Sequence, residues 1–138
     1  MLTDDGHLPR AGKVGNDIML HGSGGVIEEY DWDGDLVWQY CDSGDREFQH
    51  HDFTILPNGN ILHIAAEVIP AEEAIALGRA PSQLRDGVLV ADKLVEVRPV
   101  GATGGVVVWQ WRAIDHIVQD HGTTTAEATT RPGLADRP

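Results

Sequence analysis

The sequence predicts an all-β chain built from antiparallel hairpins, and three observations carry that expectation. Short runs of β-branched and aromatic residues alternate with Gly-centred turns along most of the length. Two hairpins close on almost the same pentapeptide, LVWQY at Leu36 to Tyr40 and VVWQW at Val107 to Trp111. Only one stretch has helical character, and it lies between strands rather than at an end.

Each element follows from local chemistry. In GGVIEEYDWDGDLVWQY, Val26 to Tyr30 and Leu36 to Tyr40 are strands, and Asp33-Gly34 supplies a turn that tolerates positive φ. DFTILPNGNILHIA is a second hairpin, turning at Asn58-Gly59. A third joins Leu94 to Val97 with Val106 to Trp111 through a loop that holds Gly101, Gly104 and Gly105. DDGHL at Asp4 to Leu8 resembles PNGNIL at Pro57 to Leu62 and marks a further turn near the N-terminus. Strands are expected near residues 26–30, 35–40, 51–56, 60–66, 93–98 and 105–111. Between Pro70 and Gly87, Pro70 opens a helix that runs through Glu72, Glu73 and Ile75 and stops at Gly78.

The two Trp-Gln motifs make Trp38 and Trp109 equivalent at a spacing of roughly 70 residues, longer than the about 40–50 of a four-stranded blade repeat. Removing the helical excursion brings the spacing to roughly 50 residues. The expected architecture is therefore a partial β-propeller of about two four-stranded antiparallel blades with one short inserted helix. Residues 1–48 form a partial blade, 49–112 a blade with the helical insertion at about 67–90, and 113–138 the start of a next blade or a disordered tail. Trp32, Trp38, Trp109 and Trp111 are expected to pack blade against blade.

Composition limits partners. The 138 residues carry 22 acidic and 10 basic side chains, a net charge of −12, which repels nucleic acid and anionic membrane surfaces. Cys41 is the single cysteine, so neither an internal disulfide nor a thiolate zinc site is expected. No segment reads as a signal peptide or a membrane span. Localisation is left open.

The chemistry concentrates in His50-His51-Asp52. At the start of a blade's innermost strand these residues would face a central channel. Strict alternation sends His50 and Asp52 to one face and His51 and Phe53 to the other. Imidazole groups suit binding of an anionic group in transfer, and a carboxylate alongside would fix the tautomer. Capping of the strand by hydrogen bonds is the plainer role for the same three residues. Asp115 and His116, in AIDHIVQDH, are weaker candidates. Together with Asp120 and His121, and with His50, His51 and Asp52, they raise a metal-dependent hydrolase as a distant alternative, although the spacing of His116 and His121 matches no familiar ligand motif. His7, His21 and His63 have no charged partner implied by spacing and read as ordinary surface or packing residues.

The ordered motifs GSGGVIEEYDWDGDLVWQY, HHDFTILPNGNIL, AEEAIALGRAP, DKLVEVRP and VVVWQWRAIDHIVQDH resemble those of the bacterial arylsulfotransferase (aryl-sulfate sulfotransferase) family over about residues 5–120. The resemblance implies a six-bladed propeller that moves a sulfuryl group from an aryl sulfate donor to a phenolic acceptor through a sulfated histidine. It implies no cofactor or metal. It places a histidine of the HHD motif at the sulfate, with His51 favoured over His50. The nucleophilic histidine and a sulfate-contacting arginine belong to later blades in that family, and no motif here assigns them. Arg131 and Arg137 lack the surrounding pattern, so no residue of this segment is expected to act as the catalytic nucleophile. A non-catalytic interaction propeller is the alternative, since fold alone does not fix chemistry. Open blade edges would favour self-association.

Overall fold

The computed structural model describes residues 2–3, 5–15 and 22–116. They form mostly β structure in two antiparallel sheets. The first has three strands in the order β1 (Leu8–Lys13), β2 (Gly25–Tyr30) and β3 (Leu36–Cys41). The second has four, β4 (Glu47–Ile55), β5 (Ile61–Pro70), β6 (Val88–Pro99) and β7 (Gly105–Arg112), also in chain order. Neither sheet closes on itself, so the described residues form a pair of open meanders. The candidates Asp120, His121, Arg131 and Arg137, with most of the 113–138 tail, lie outside the described residues, as does His21.

The turns are where the sequence placed them. Gly34 at φ 88° and Gly59 at φ 81° close the β2–β3 and β4–β5 hairpins in a left-handed conformation that a side chain would oppose. Both turns use the same bonds: the Asp31 N–H donates to the Asp35 carbonyl and the Leu56 N–H to the Asn60 carbonyl, at 2.9 and 2.8 Å. Asp31 and Asn58 side chains accept backbone N–H groups two residues on, a local bond that favours turns over continued strand.

The helix is shorter than its sequence signal and the strands beside it are longer. Pro70 pairs with Val88, so β5 and β6 stay joined to the foot of the excursion. The insertion is thus 71–87 rather than 67–90, with α1 at Ala71–Ala76 and a single 3-10 turn at Pro81–Gln83. Ala74 and Ile114 pack with Ile69 and Ala91 in a small core at that end. No helix among the described residues is long and apolar enough to cross a membrane.

The main core lies between the sheets. Ile27 and Trp38 of the first sheet meet Ile61 of the second, flanked by Tyr40, Phe53 and Ile55. Tyr40 also covers Ala65, Val95 and Val97. The Trp38 indole N–H donates to the Gly104 carbonyl at 3.0 Å. Beside it Gln39 donates to Ala102 and accepts from Gly104, so the β6–β7 loop seals the outer edge of β3.

Of the four tryptophans expected to pack between sheets, only Trp38 does so. Trp38 is 5% exposed, whereas Trp109 is 46%, Trp111 38% and Trp32 81% exposed. The reason is positional: Trp38 has a sheet after it in the chain, whereas among the described residues only the turn at 113–116 follows β7. Trp38→Ala should therefore cost about 3–5 kcal/mol of stability. Trp109→Ala should cost much less, despite the shared motif, and thermal unfolding followed by circular dichroism measures both.

Candidate functional site

The two adjacent histidines sit on β4, and the strand is irregular where they occur. β4 pairs Gln49 with Ala65 and then Phe53 with His63, so His50, His51 and Asp52 span a gap that Ile64 alone fills on β5. The extra residues are accommodated by a left-handed backbone at His51, φ 55°, a conformation that costs energy for any residue with a Cβ. Neighbouring backbone holds it there: the His51 N–H donates to the Gly22 carbonyl at 2.9 Å, and Ser23 bridges to His50. Gly22 suits this place because its own φ is 82° and because a Cβ on it would stand 2.5–2.8 Å from the His51 ring.

This bulge overturns the expectation that the histidines face opposite ways. Their Nδ1 atoms are 2.7 Å apart and the rings meet edge to face, with centroids separated by 5.0 Å. Period-2 alternation holds only for regular strand, and two extra residues abolish it locally.

Their environments differ sharply. His50 is buried beside the Phe48 ring, while His51 is exposed. Burial is the main reason that the His50 pKa lies below its ordinary value of 6.5. The nearby Asp92 carboxylate opposes that shift, and His51 reinforces it. Asp92 Oδ1 stands 3.2 Å from His50 Nε2, within ion-pair range but off the line of an aligned hydrogen bond.

Asp92, not Asp52, is the carboxylate that serves this pair. Asp52 is exposed and its Oδ1 accepts the Phe53 N–H at 2.8 Å, which makes it a local strand cap. A carboxylate near Nε2 favours a proton on that atom, so the neutral His50 presents a lone pair at Nδ1. The His51 Nδ1–H then donates to it. That tautomer, assigned from the network, leaves the His51 Nε2 at the exposed end of an Asp92–His50–His51 chain.

The weaker pair is elsewhere. Asp115 lies 3.5 Å from Arg112, and His116 stacks on Trp111 at 4.7 Å. Both belong to the turn after β7, at the opposite edge of the sheet from β4. Among the described residues no cluster of three or more His, Cys, Asp or Glu side chains is placed to hold a metal.

His63, read as an ordinary residue, has a carboxylate partner after all. Its Nε2 is 2.7 Å from Asp42 Oδ2, with both residues buried between the sheets and the Tyr40 ring against the imidazole. Two signals point to such a contact. His63 shares a strand face with Ile61 and Ala65, and a polar group on a core face requires a partner. The partner itself is 21 residues away, beyond any local pattern.

Gln49 completes the joint: its carbonyl accepts from Gly24, its N–H donates to Asp42, and its side-chain oxygen accepts from Gly25. Nearby, an open cleft of about 550 Å³ is lined by Tyr40, Asp42, Glu47, Lys93, Val107 and Trp109, with Lys93 paired to Glu47. Compared with protein families, curated proteins and solved structures, the chain matches none.

Two outcomes follow. Because the folded His50 pKa is lowered, stability should be full above the ordinary value near 6.5 and decline as pH falls below it. His50→Gln should flatten that decline in a series of melts from pH 7.5 to about 4.5. Asp42→Ala should cost about 3 kcal/mol, because it leaves His63 buried without its partner. Asp52→Ala, which removes only an exposed cap, should cost about 1 kcal/mol or less by denaturant titration.

Proposed function

We propose that the chain is part of an arylsulfotransferase-like propeller and that His51, backed by His50, binds the oxygens of an aryl sulfate. The single observation that carries the reading is the contact of the two imidazoles at the β4 bulge. It holds the ring of an exposed histidine in a fixed orientation against that of a buried one. Support also comes from the five ordered sequence motifs, and from the internal repeat of sheets that end in the same Trp-Gln strand. The place of β4 suits the proposal, since it is the first strand of its sheet and thus the position at which a blade would line a channel.

In this reading the chain's own residues act as binders. His51 offers an Nε2–H to a sulfuryl oxygen while its Nδ1 stays in contact with His50, whose Nε2 faces Asp92. Further blades would supply the pocket for the phenyl ring of the donor. Transfer also needs an activated nucleophile and oxyanion donors held together, which two sheets do not enclose. The isolated chain should therefore bind an aryl sulfate weakly without turning it over.

The second reading is a non-catalytic interaction module. The cleft lined by Tyr40, Lys93 and Trp109 favours it, because its polar and aromatic walls need no chemistry to hold a ligand.

Titration with phenyl sulfate while following the imidazole proton resonances separates the readings. The His51 signals should shift on addition of ligand. His51→Ala should abolish the effect while Asp115→Ala leaves it intact. Shifts confined to the Lys93 cleft, or none at millimolar ligand, would sink the sulfate assignment.

A further inference from the structure

Gln49 is fully buried, and only one half of its amide is used. The side-chain oxygen accepts the Gly25 N–H at 2.9 Å, whereas Nε2 has no partner among the described residues. A buried donor without an acceptor costs stability. Methionine would fill nearly the same volume with no polar hydrogen to satisfy, so packing alone does not account for a glutamine here. A side chain kept at such a cost points to what its oxygen holds.

It holds the Gly22–Gly25 stretch that opens β2, and this stretch is tied on two sides. On one side the Gly24 carbonyl accepts the Val14 N–H and the Gly25 carbonyl accepts the Asp42 N–H, both at 2.9 Å. On the other it runs along β4, where the Gly24 N–H donates to the Gln49 carbonyl and the Gly22 carbonyl accepts the His51 N–H. Gly24 is packed directly on the Gln49 amide, since a Cβ there would stand 2.0 Å from the side-chain oxygen. Gly22 is packed on the His51 imidazole in the same manner. One glycine stretch therefore touches the Gln49 amide near one end and the His51 ring at the other.

We propose that Gln49 is a positioning residue for His51: its side-chain oxygen fixes the Gly22–Gly25 stretch, and that stretch fixes both the backbone and the ring of His51. The clamp is needed because a φ of 55° is unfavourable for a residue with a Cβ and persists only where the surroundings impose it. Gln49 acts through the stretch and touches no ligand itself. The consequence for sulfate binding rests on the role proposed above for His51, whereas the positioning does not.

Nuclear magnetic resonance of the full chain, first without ligand, tests the proposal. The His50 and His51 rings should show a mutual Overhauser effect, and the His51 amide should exchange slowly with solvent. Gln49→Met removes one orphaned donor and leaves the Gly25 N–H without an acceptor, so its melting temperature should change little. The ring contact should nevertheless be lost, and exchange at the His51 amide should quicken about tenfold or more. Gln49→Glu, whose carboxyl keeps an acceptor oxygen at the same place, should retain both signals. Gly24→Ala, which drives a methyl group into the Gln49 oxygen, should reproduce the Gln49→Met result with Gln49 itself intact. Ring contact and slow exchange that survive in both Gln49→Met and Gly24→Ala would overturn the proposal. Global unfolding of both variants would overturn it too, since Gln49 would then support the core as a whole. Phenyl sulfate is added last: no shift in the parent protein, with His51 order still lost in Gln49→Met, would uphold the positioning and reject only the sulfate reading.

Discussion

The buried contact between Asp42 and His63 is the constraint around which the two sheets are arranged. It joins the residue after β3 to the middle of β5, and Gln49 bonds to both Asp42 and the entry to β2. Apolar packing of Ile27, Trp38 and Ile61 supplies most of the stabilisation there, but it is not directional. The polar bonds choose one sheet-to-sheet angle among those that apolar contact would permit. They also bring Gly22 to Gly24 beside β4, and without that placement the irregular histidine segment would have no backbone to hold it.

The bulge on β4 shows how a fold-level joint becomes local chemistry. Strain at His51 is tolerated because the bonds to Gly22 and Ser23 over-determine its backbone. The outcome is a buried imidazole and an exposed one in contact, with their protons coupled and a carboxylate at the inner end. Burial disfavours the charged form of the inner ring, and contact with it fixes the orientation of the outer one. A lone surface histidine would not have that orientation.

Trp38 and Trp109 give the same lesson from the side of stability. One motif occurs twice, yet one copy is core and the other is surface, because burial is decided by what lies beside a residue rather than by its sequence context. The extension of β5 and β6 to the foot of the helical excursion is a related effect, since pairing with a neighbour carries a strand past the point where its own propensity fades.

The sequence by itself determined the β class, the places of the hairpin turns and the single short helix. These depend on local φ preferences at Gly34 and Gly59, on side-chain bonds from Asp31 and Asn58, and on the alternation of residues within about six positions. It also singled out His50 and His51 as the place to look. What only the tertiary structure decided is how those two rings meet, that Asp92 rather than Asp52 serves them, and that His63 is tied to Asp42. The physical reason is that hydrogen bonds across 21 or more residues, and a bulge set by the register of a neighbouring strand, are properties of paired elements. No local pattern in one strand encodes the position of the next.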